Sequence, residues 1–285
     1  MELAAVECNL PKISIVTPSY NQSQFLEKTI LSVLNQKYPN LEYIIIDGGS
    51  TDKSVEIIRK YKSDLKYWVS EPDRGQSHAI NKGFEHATGE LFGWLNSDDY
   101  YMEGALQAVA ELFLQHCDVG AFVGAGQMVD SAAHILCYKE PENVTFQALF
   151  RWPVQGLFMQ PSCFFKSTAW LQCGPLDERL HFTMDVDLWM KIAKQSQYAR
   201  CNHLLSTSLI HSLAKTSAFQ NRTMVDLAVV MMRHGAEKEA RQILDNLEKR
   251  LSSAERILDL VRRNPLFKLG KPLITPFLKT LLQNE

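Results

Sequence analysis

Two adjacent carboxylates follow an apolar, β-forming run in the stretch GELFGWLNSDDYY, residues 89–101. Asp98 and Asp99 carry like charges, so placing them side by side costs stability unless a cation, a helix end or solvent absorbs the charge. Carboxylate oxygens suit Mg²⁺ or Mn²⁺, which take one or two such ligands and let substrate phosphates complete the shell. The pair is therefore a candidate site for a divalent metal ion.

A second acidic pair, Asp185 and Asp187, lies in the stretch GPLDERLHFTMDVDLWMKIA. On a helix, residues two apart point about 200° apart around the axis, so only one of them can face a cleft. Lys191 stands four residues after Asp187, a pairing typical of an exposed helix face, whereas Trp189 stands four residues after Asp185. Asp185 is therefore the better candidate for a catalytic carboxylate. The alternative is an acid that only complements the helix dipole.

The elements that must position these acids follow from hydrophobic periodicity. Runs of β-forming residues at 13–17, 41–47, 66–70 and 91–96 alternate with stretches whose apolar residues recur at helical spacing. This alternation predicts a parallel sheet with helices on both faces, in which ligands bind outside the carboxyl ends of the strands. The loops that follow the four strands, TPSYN, DGGSTD, SEPDRGQ and NSDD, are all polar or charged. We expect them to converge on one binding site.

The second and third loops indicate a phosphate-bearing ligand. Glycines after Asp47, including Gly49, let the backbone approach a ligand closely, and Asp47 can accept a hydrogen bond from a base or a sugar. Arg74 suits a phosphate or nucleobase contact, and a surface ion pair with Glu71 or Asp73 is the alternative. A diphosphate ligand would explain both this cation and the paired acids.

Composition limits the class of protein. The chain has 285 residues, 46% of them hydrophobic and 22% charged, which is typical of a globular protein. A net charge of −2 lacks the basic field that nucleic-acid binding requires, so we expect no nucleic-acid partner. The six cysteines form no CxxC pair, which argues against a zinc knuckle or a redox dithiol. With neither a basic signal-peptide start nor an apolar run of ~20 residues, we expect a cytoplasmic protein.

The motifs together resemble glycosyltransferase family 2, enzymes of the GT-A fold that use nucleotide-sugar donors. The resemblance runs from Ile13 to Leu106, through TPSYNQSQFLEK, DGGSTDKS, SEPDRGQSHAINKGFEHATGE and GWLNSDDYYMEGAL, and resumes at QPSCFFKSTAWLQCGPLDERLHFTMDVDLWMKIA. It implies an α/β fold with a Rossmann-like mixed sheet flanked by helices. It also implies a metal-dependent, inverting transfer of a sugar from a nucleoside diphosphate, with a UDP-sugar favoured, to a hydroxyl of a glycan or lipid-linked acceptor.

The same resemblance assigns roles to individual residues. Met184 stands where the family usually has an acid, and Asp185 matches the general base of inverting members. His211 matches a C-terminal histidine that binds the metal or the diphosphate, with a purely structural histidine as the alternative. The remaining assignments are the nucleotide-sugar contacts Thr17, Pro18, Tyr20, Asp47, Gly49, Arg74, Lys82 and Asp98, and the Mn²⁺ or Mg²⁺ ligand Asp99.

The chain divides into a catalytic domain and a helical extension. We expect a GT-A domain over residues 1–220, with a nucleotide-binding half at 12–106 and an acceptor-binding half at 107–220. Residues 221–285 are charged and helical in pattern, with a break at Gly235.

Two segments of the second half bear on partners. Trp152 and Gln160 lie in a less regular segment and are candidates for sugar choice. Residues 261–283 carry five basic residues and no acids among Leu, Phe and Ile, which is typical of peripheral contact with the inner face of an anionic membrane. Because prolines interrupt this segment, docking on the domain or on a partner is an equal alternative.

Two other functions compete with glycosyl transfer. A sugar nucleotidylyltransferase is expected to carry a glycine-rich phosphate loop after the first strand, and TPSYNQS has none. A catalytically inert glycan- or nucleotide-binding module stays open, because a fold and its binding loops do not guarantee turnover.

Overall fold

A computed structural model of the chain describes residues 10–211 and 220–263, with side chains up to residue 256. Over these residues the chain forms one mixed sheet. Its strands are β1 (Ile13–Ser19), β2 (Leu41–Asp47), β3 (Tyr67–Ser70), β4 (Leu91–Trp94), β5 (Asp99–Tyr101), β6 (Ala121–Val129), β7 (Ile135–Lys139), β8 (Cys163–Lys166) and β9 (Tyr198–Leu209).

The described helices connect or follow these strands. They are α1 (Leu26–Leu34), α2 (Ser54–Lys60), α3 (Gln76–Glu85), α4 (Ala105–Gln115), α5 (Phe146–Leu149), α6 (Ser167–Cys173), α7 (Met184–Gln195), α8 (Gln220–Arg233) and α9 (Glu237–Arg263). A single 3₁₀ turn, Gln160–Ser162, precedes β8.

The first half of the sheet is parallel, as the sequence predicts. Strands β3, β2, β1 and β4 lie side by side in that order and all run the same way. Every residue of β1 is buried, and β2 is buried from Glu42 onward. Near-continuous burial of this kind arises when helices cover both faces of a parallel sheet.

The second half of the sheet mixes strand directions. The order continues through β8, β6, β9 and β5, with β8 antiparallel to both of its neighbours and β9 parallel to β6. Strand β5 is antiparallel to β9, and its first residue, Asp99, pairs with Ser208. The acidic pair Asp98 and Asp99, which follows β4, is therefore held beside the end of the last strand.

Two hydrophobic cores cover the two faces of the sheet. Neighbouring residues of β1 point to opposite faces, as strand geometry requires. Val16 packs in one core with Trp94 and Trp189, and Ile15 packs in the other with Phe122.

Helices beyond residue 220 complete the first of these cores. Ala228 and Met231 of α8 and Ile243 of α9 are buried in the same cluster as Trp189. Gly235, with φ +83°, separates the two helices, which confirms the expected break. The domain boundary at residue 220 stays a prediction, since α8 shares a core with the sheet.

Within the described ranges, no helix combines the length and the apolar character needed to cross a bilayer. The segment predicted to contact a membrane, residues 261–283, lies outside the described residues from residue 264 onward.

Candidate active site

A cavity of about 750 Å³ lies at the carboxyl ends of the four parallel strands. Ser19 ends β1, Gly48 follows β2, Asp73 follows β3 and Asn96 follows β4, and all four residues line the cavity. The predicted convergence of the four loops is confirmed.

The rest of the cavity wall comes from the second half of the chain. It includes the end of β9 at Ser208, the turn residue Gln160, and the start of α7 at Met184. His181 and Phe182, in the loop before α7, also line it. Both halves of the sheet therefore contribute to one site.

Asp98 lies at this cavity and contacts His211. The imidazole Nε2 is 3.1 Å from Oδ2 of Asp98. The imidazole also packs on the ring of Phe25, with centroids 4.4 Å apart. The structure thus brings together the two residues that the sequence places 113 positions apart.

Asp99, next to Asp98, is a buried carboxylate. Burial, followed by the negative charge of Asp98, raises the pKa of Asp99 well above its ordinary value. A hydrogen bond from Asn96 Nδ2, at 3.2 Å, opposes this effect in part. The Asp99 carboxylate forms no ion pair within the part of the chain that the structure describes.

The side chains around Asp98 and Asp99 fit a divalent ion whose remaining ligands come from a substrate. Within the described residues, no three His, Cys, Asp or Glu side chains form a metal site on their own. Mg²⁺ and Mn²⁺ do not need one, because one or two carboxylates and phosphate oxygens complete their shells. Asp98, Asp99 and the His211 imidazole offer oxygen and nitrogen donors of the right chemistry, and a cation would neutralise the buried acid.

Three amide side chains link Asp99 to the rest of the cavity lining. Gln76 Nε2 donates to Asn96 Oδ1 at 2.7 Å, and Asn96 Nδ2 also lies 3.1 Å from Gln160 Oε1. Gln160 Nε2 donates in turn to the backbone carbonyl of Trp94 at 3.1 Å. Gln160 was a sequence candidate for sugar choice. Gln76 and Asn96 were missed, although both stand in the loops DRGQ and NSDD.

The other sequence candidate for sugar choice, Trp152, is not among the cavity-lining residues. Its ring packs edge-on against Phe158, with centroids 5.2 Å apart.

Asp185 lines the cavity from the first turn of α7. Its side chain is half-buried, and Oδ1 accepts a hydrogen bond from the Val186 N–H at 2.8 Å. Burial, and then the charge of Asp185, raises the pKa of Cys163 in β8 well above its ordinary value. The Asp185 carboxylate therefore faces the same cavity as Asp98 and Asp99.

Asp187 differs from the prediction. The expected pair with Lys191 forms at 2.8 Å, but the Asp187 side chain is only 1% exposed, so the expected exposed face is wrong. Arg233 and His234, at the end of α8, cover it at 3.1 and 2.9 Å. Burial alone would raise the pKa of Asp187, but the His234 hydrogen bond and the nearby cations lower it to about 2.

The residues predicted to bind the nucleobase divide into two groups. Pro18 and Tyr20 line the cavity, and Tyr20 is 60% exposed. Thr17 is fully buried, and its hydroxyl lies 3.0 Å from the hydroxyl of Tyr43. The Thr17 side chain therefore bonds inside the domain, while Pro18 and Tyr20 face the cavity.

Asp47 and Gly49 shape the loop after β2 and are not among the cavity-lining residues. Asp47 accepts hydrogen bonds from the Ser50 N–H and hydroxyl and from the Ser70 hydroxyl, at 2.6 to 2.9 Å. The Asp47 side chain is fully buried, so these bonds fix the loop from within the domain. Gly49 has φ +80°, and a Cβ there would come within 3.1 Å of the Pro72 nitrogen, so only glycine fits.

The two predicted cations bond to acids outside the cavity. Arg74 is 66% exposed, and Nε and Nη2 donate to the carboxylate of Glu178 at 2.7 and 2.9 Å. This partner lies 104 residues away, whereas the sequence suggested Glu71 or Asp73. Lys82 bonds to Glu71 instead. Neither cation lines the cavity in this arrangement.

Comparison with known proteins identifies the family. The model of glycosyl transferase family 2 matches residues 14–173, which is more than half of the chain. The chain belongs to glycosyl transferase family 2. It is a glycosyltransferase, and this membership sets it apart from the sugar nucleotidylyltransferases.

Curated relatives agree with this family. An uncharacterized glycosyltransferase of Rickettsia typhi is 29% identical over 223 residues, which cover 74% of this chain and 68% of the relative. The Bacillus subtilis protein TuaG, named as a glycosyltransferase of teichuronic acid biosynthesis, is 33% identical over 48% of this chain and 56% of its own length.

Solved structures show the same GT-A fold. The mannosyltransferase PcManGT from Pyrobaculum calidifontis, in complex with GDP-Man and Mn²⁺, aligns with a TM-score of 0.61 at 18% identity. The alignment covers 98% of this chain and 88% of that one. Residues 1–349 of S. aureus TarS, in complex with UDP-GlcNAc, align with a TM-score of 0.57 at 18% identity, over 92% of this chain and 78% of that one.

Proposed function

We propose that this glycosyltransferase moves a sugar from a nucleoside diphosphate donor to an acceptor hydroxyl with inversion, using a divalent metal ion. The observation that carries the proposal is one cavity with acids from two separate regions. Asp98 and Asp99 stand beside the ends of the parallel strands, and Asp185 stands at the start of α7. A donor lying across the strand ends would meet the first pair with its diphosphate and Asp185 with its sugar.

Asp185 acts as the general base in this proposal. Its carboxylate accepts the proton of the acceptor hydroxyl as that oxygen forms a bond to the anomeric carbon. The bond between this carbon and the diphosphate oxygen breaks at the same time, and its electron pair leaves with the nucleoside diphosphate. Attack from the face opposite the leaving group inverts the anomeric centre.

Asp98, Asp99 and His211 would hold the metal ion. When bound, a divalent cation neutralises the charge that develops on the departing diphosphate. Asn96 fixes the orientation of the Asp99 carboxylate through its 3.2 Å hydrogen bond. Asp99 is buried and hydrogen-bonded, so it offers a lone pair in a fixed direction.

The side chains that would contact the nucleotide-sugar donor are assigned from their positions in the cavity. Pro18 and Tyr20 line the cavity next to β1, where the resemblance expects the nucleobase. Gln160 and Asn96 present amide groups beside the acids, at the place where hydroxyls of a donor sugar would lie. The neighbouring solved structures are complexes with UDP, UDP-GlcNAc or GDP-Man, so both uridine and guanosine donors belong in a screen.

The test measures turnover and donor binding in the same preparation. A panel of UDP- and GDP-sugars is screened with Mn²⁺ for nucleoside diphosphate release, and the best donor is used with Asp185→Asn. General-base catalysis commonly supplies about 10²- to 10⁴-fold, so the variant should lose about that factor in kcat and keep its donor affinity.

Asp64→Asn is the matched control, because it makes the same substitution at an exposed carboxylate outside the cavity-lining residues. A collapse of donor affinity in Asp185→Asn would assign that residue to donor binding instead. Absence of nucleotide release with every donor in the panel, despite measurable binding, would favour the inert binding module.

A further inference from the structure

The loop that leads to Asp185 is held by helix α8. Asp226 of α8 accepts hydrogen bonds from the backbone N–H groups of His181 and Phe182, at 2.8 and 3.1 Å. Both of these residues line the cavity. Backbone N–H groups in an irregular loop need a partner, and here one carboxylate serves two of them.

The helix that carries Asp185 is held by the other end of α8. His234 and Arg233 both donate to Oδ1 of Asp187, which lies two residues after Asp185. Arg233 also donates to Asp177 at 2.9 Å, so it joins α7 to the segment before it. The side chains of His234 and Asp187 are 4% and 1% exposed, so the hydrogen bond between them is shielded from water.

These two sets of contacts lie on either side of Asp185. Asp226 and Arg233 are seven residues apart on one helix, a rise of about 10 Å. Asp226 accepts hydrogen bonds from residues 181 and 182, before Asp185, and Arg233 donates one to Asp187, after it. A single rigid element thus fixes the chain at both ends of the segment that presents the carboxylate to the cavity.

We propose that α8 positions the Asp185 carboxylate for catalysis, with Asp226, Arg233 and His234 as positioning residues. The inference rests on the proposed function, in which Asp185 is the base. A misplacement of about 1 Å in a catalytic group can cost about 10²-fold in rate, so small shifts of this segment would matter. A cluster that only stabilised the fold would change the melting temperature and leave kcat unaffected below the unfolding transition.

His234 offers the sharpest variant, because Lys191 and Arg233 remain bonded to Asp187 after its removal. His234→Phe keeps a ring of similar size and removes the donor, whereas His234→Gln keeps an amide N–H near the position of Nε2. We expect His234→Phe to lower kcat by about 10- to 10²-fold with unchanged donor affinity, and His234→Gln to recover most of it. Val229→Ala, at an exposed position of α8 between the two contact points, should behave as wild type.

A double-mutant cycle separates positioning from general stability. If His234 acts through Asp185, adding His234→Phe to Asp185→Asn should lower kcat no further, because the base is already absent. Multiplying effects, or a lower melting temperature with an unchanged kcat, would overturn the inference. If His234→Phe does not fold, Asp226→Ala takes its place in the same cycle with the same expected outcomes.

The same experiment tells the two proposals apart. An unchanged kcat in Asp185→Asn would overturn the proposed function. Turnover lost in Asp185→Asn but unaffected by His234→Phe would leave the base assignment standing and remove the positioning role of α8.

Discussion

Each of the two acidic pairs has one carboxylate bonded to a histidine from later in the chain. Asp98 contacts His211, and Asp187 contacts His234. The pairs differ in the lysine and arginine partners of their carboxylates. Asp187 also bonds to Lys191 and Arg233, whereas Asp99 has hydrogen-bond donors but no ion pair among the described residues.

The difference shows in the protonation of the buried members. Burial raises the pKa of Asp99 well above its ordinary value, whereas at Asp187 the His234 hydrogen bond and the nearby cations outweigh burial and lower the pKa to about 2. An acid whose charge is already balanced serves the structure. An acid whose charge is not balanced gains most from a ligand cation, so the comparison favours the pair after β4 as the metal site.

The largest expected effect comes from removing the carboxylate charge of Asp99. We expect Asp99→Asn to abolish the Mn²⁺-dependent part of UDP binding and to lower kcat by about 10²- to 10³-fold, since a bound metal supplies several kcal/mol of charge stabilisation. Calorimetry of UDP with and without Mn²⁺ measures the first effect.

Asp187→Asn is the counterpart in the balanced pair and should keep the Mn²⁺-dependent part of UDP binding. Equal metal dependence in wild type and Asp99→Asn would remove Asp99 from the metal site. Loss of Mn²⁺-dependent UDP binding in Asp187→Asn, with a circular dichroism spectrum like that of wild type, would remove the distinction between the two pairs.

An intermediate effect is expected in acid stability. The folded-state pKa of Asp187, about 2, lies below its ordinary value of 3.8. The group therefore contributes stability above pH ~4 that is lost as the pH falls through about 2, an amount of about 2 kcal/mol. Denaturant unfolding of wild type between pH 5 and pH 2, as approximate limits, should show this loss.

Asp187→Asn provides the control for this slope. The variant has no ionisable group at that position, so its free energy of unfolding should start lower and depend less on pH in that window. The same slope in both proteins would mean that other carboxyl groups cause the acid sensitivity.

Much of the fold could be predicted because its signals are local. The β-forming run that contains Val16 and the helical stripe that contains Ile30 each show their period within a few residues. Alternation of such elements predicts parallel strands, and the rule that ligands bind at strand ends places Asp98 at the binding site. These inferences need no knowledge of distant contacts.

The predictions that failed depended on partners far along the chain. Asp187 was expected on an exposed face because Lys191 is its local neighbour, but its burial depends on Arg233 and His234, 46 and 47 residues later. In the same way, no local pattern pairs Arg74 with a residue 104 positions away. Periodicity reports which residues share a face, and it does not report what covers that face.

The smallest expected effect compares two arginine–carboxylate pairs. Arg233 bonds to the buried carboxylate of Asp187, whereas Arg74 and Glu178 form an exposed pair. Exposed pairs contribute at most about 1 kcal/mol, so little energy holds Arg74 away from a bound nucleotide. If Arg74 contacts the donor, Glu178→Gln should release it and lower the donor Kd by up to about fivefold.

Titration of the donor against wild type and Glu178→Gln measures this shift, with Glu85→Gln on the exposed face of α3 as the matched control. The melting temperature should hardly change, since an exposed pair adds little to stability. An unchanged Kd in Glu178→Gln together with an unchanged Kd in Arg74→Ala would place Arg74 outside the donor site. A weaker Kd in Arg74→Ala alone would keep it there and show that Glu178 does not compete for it.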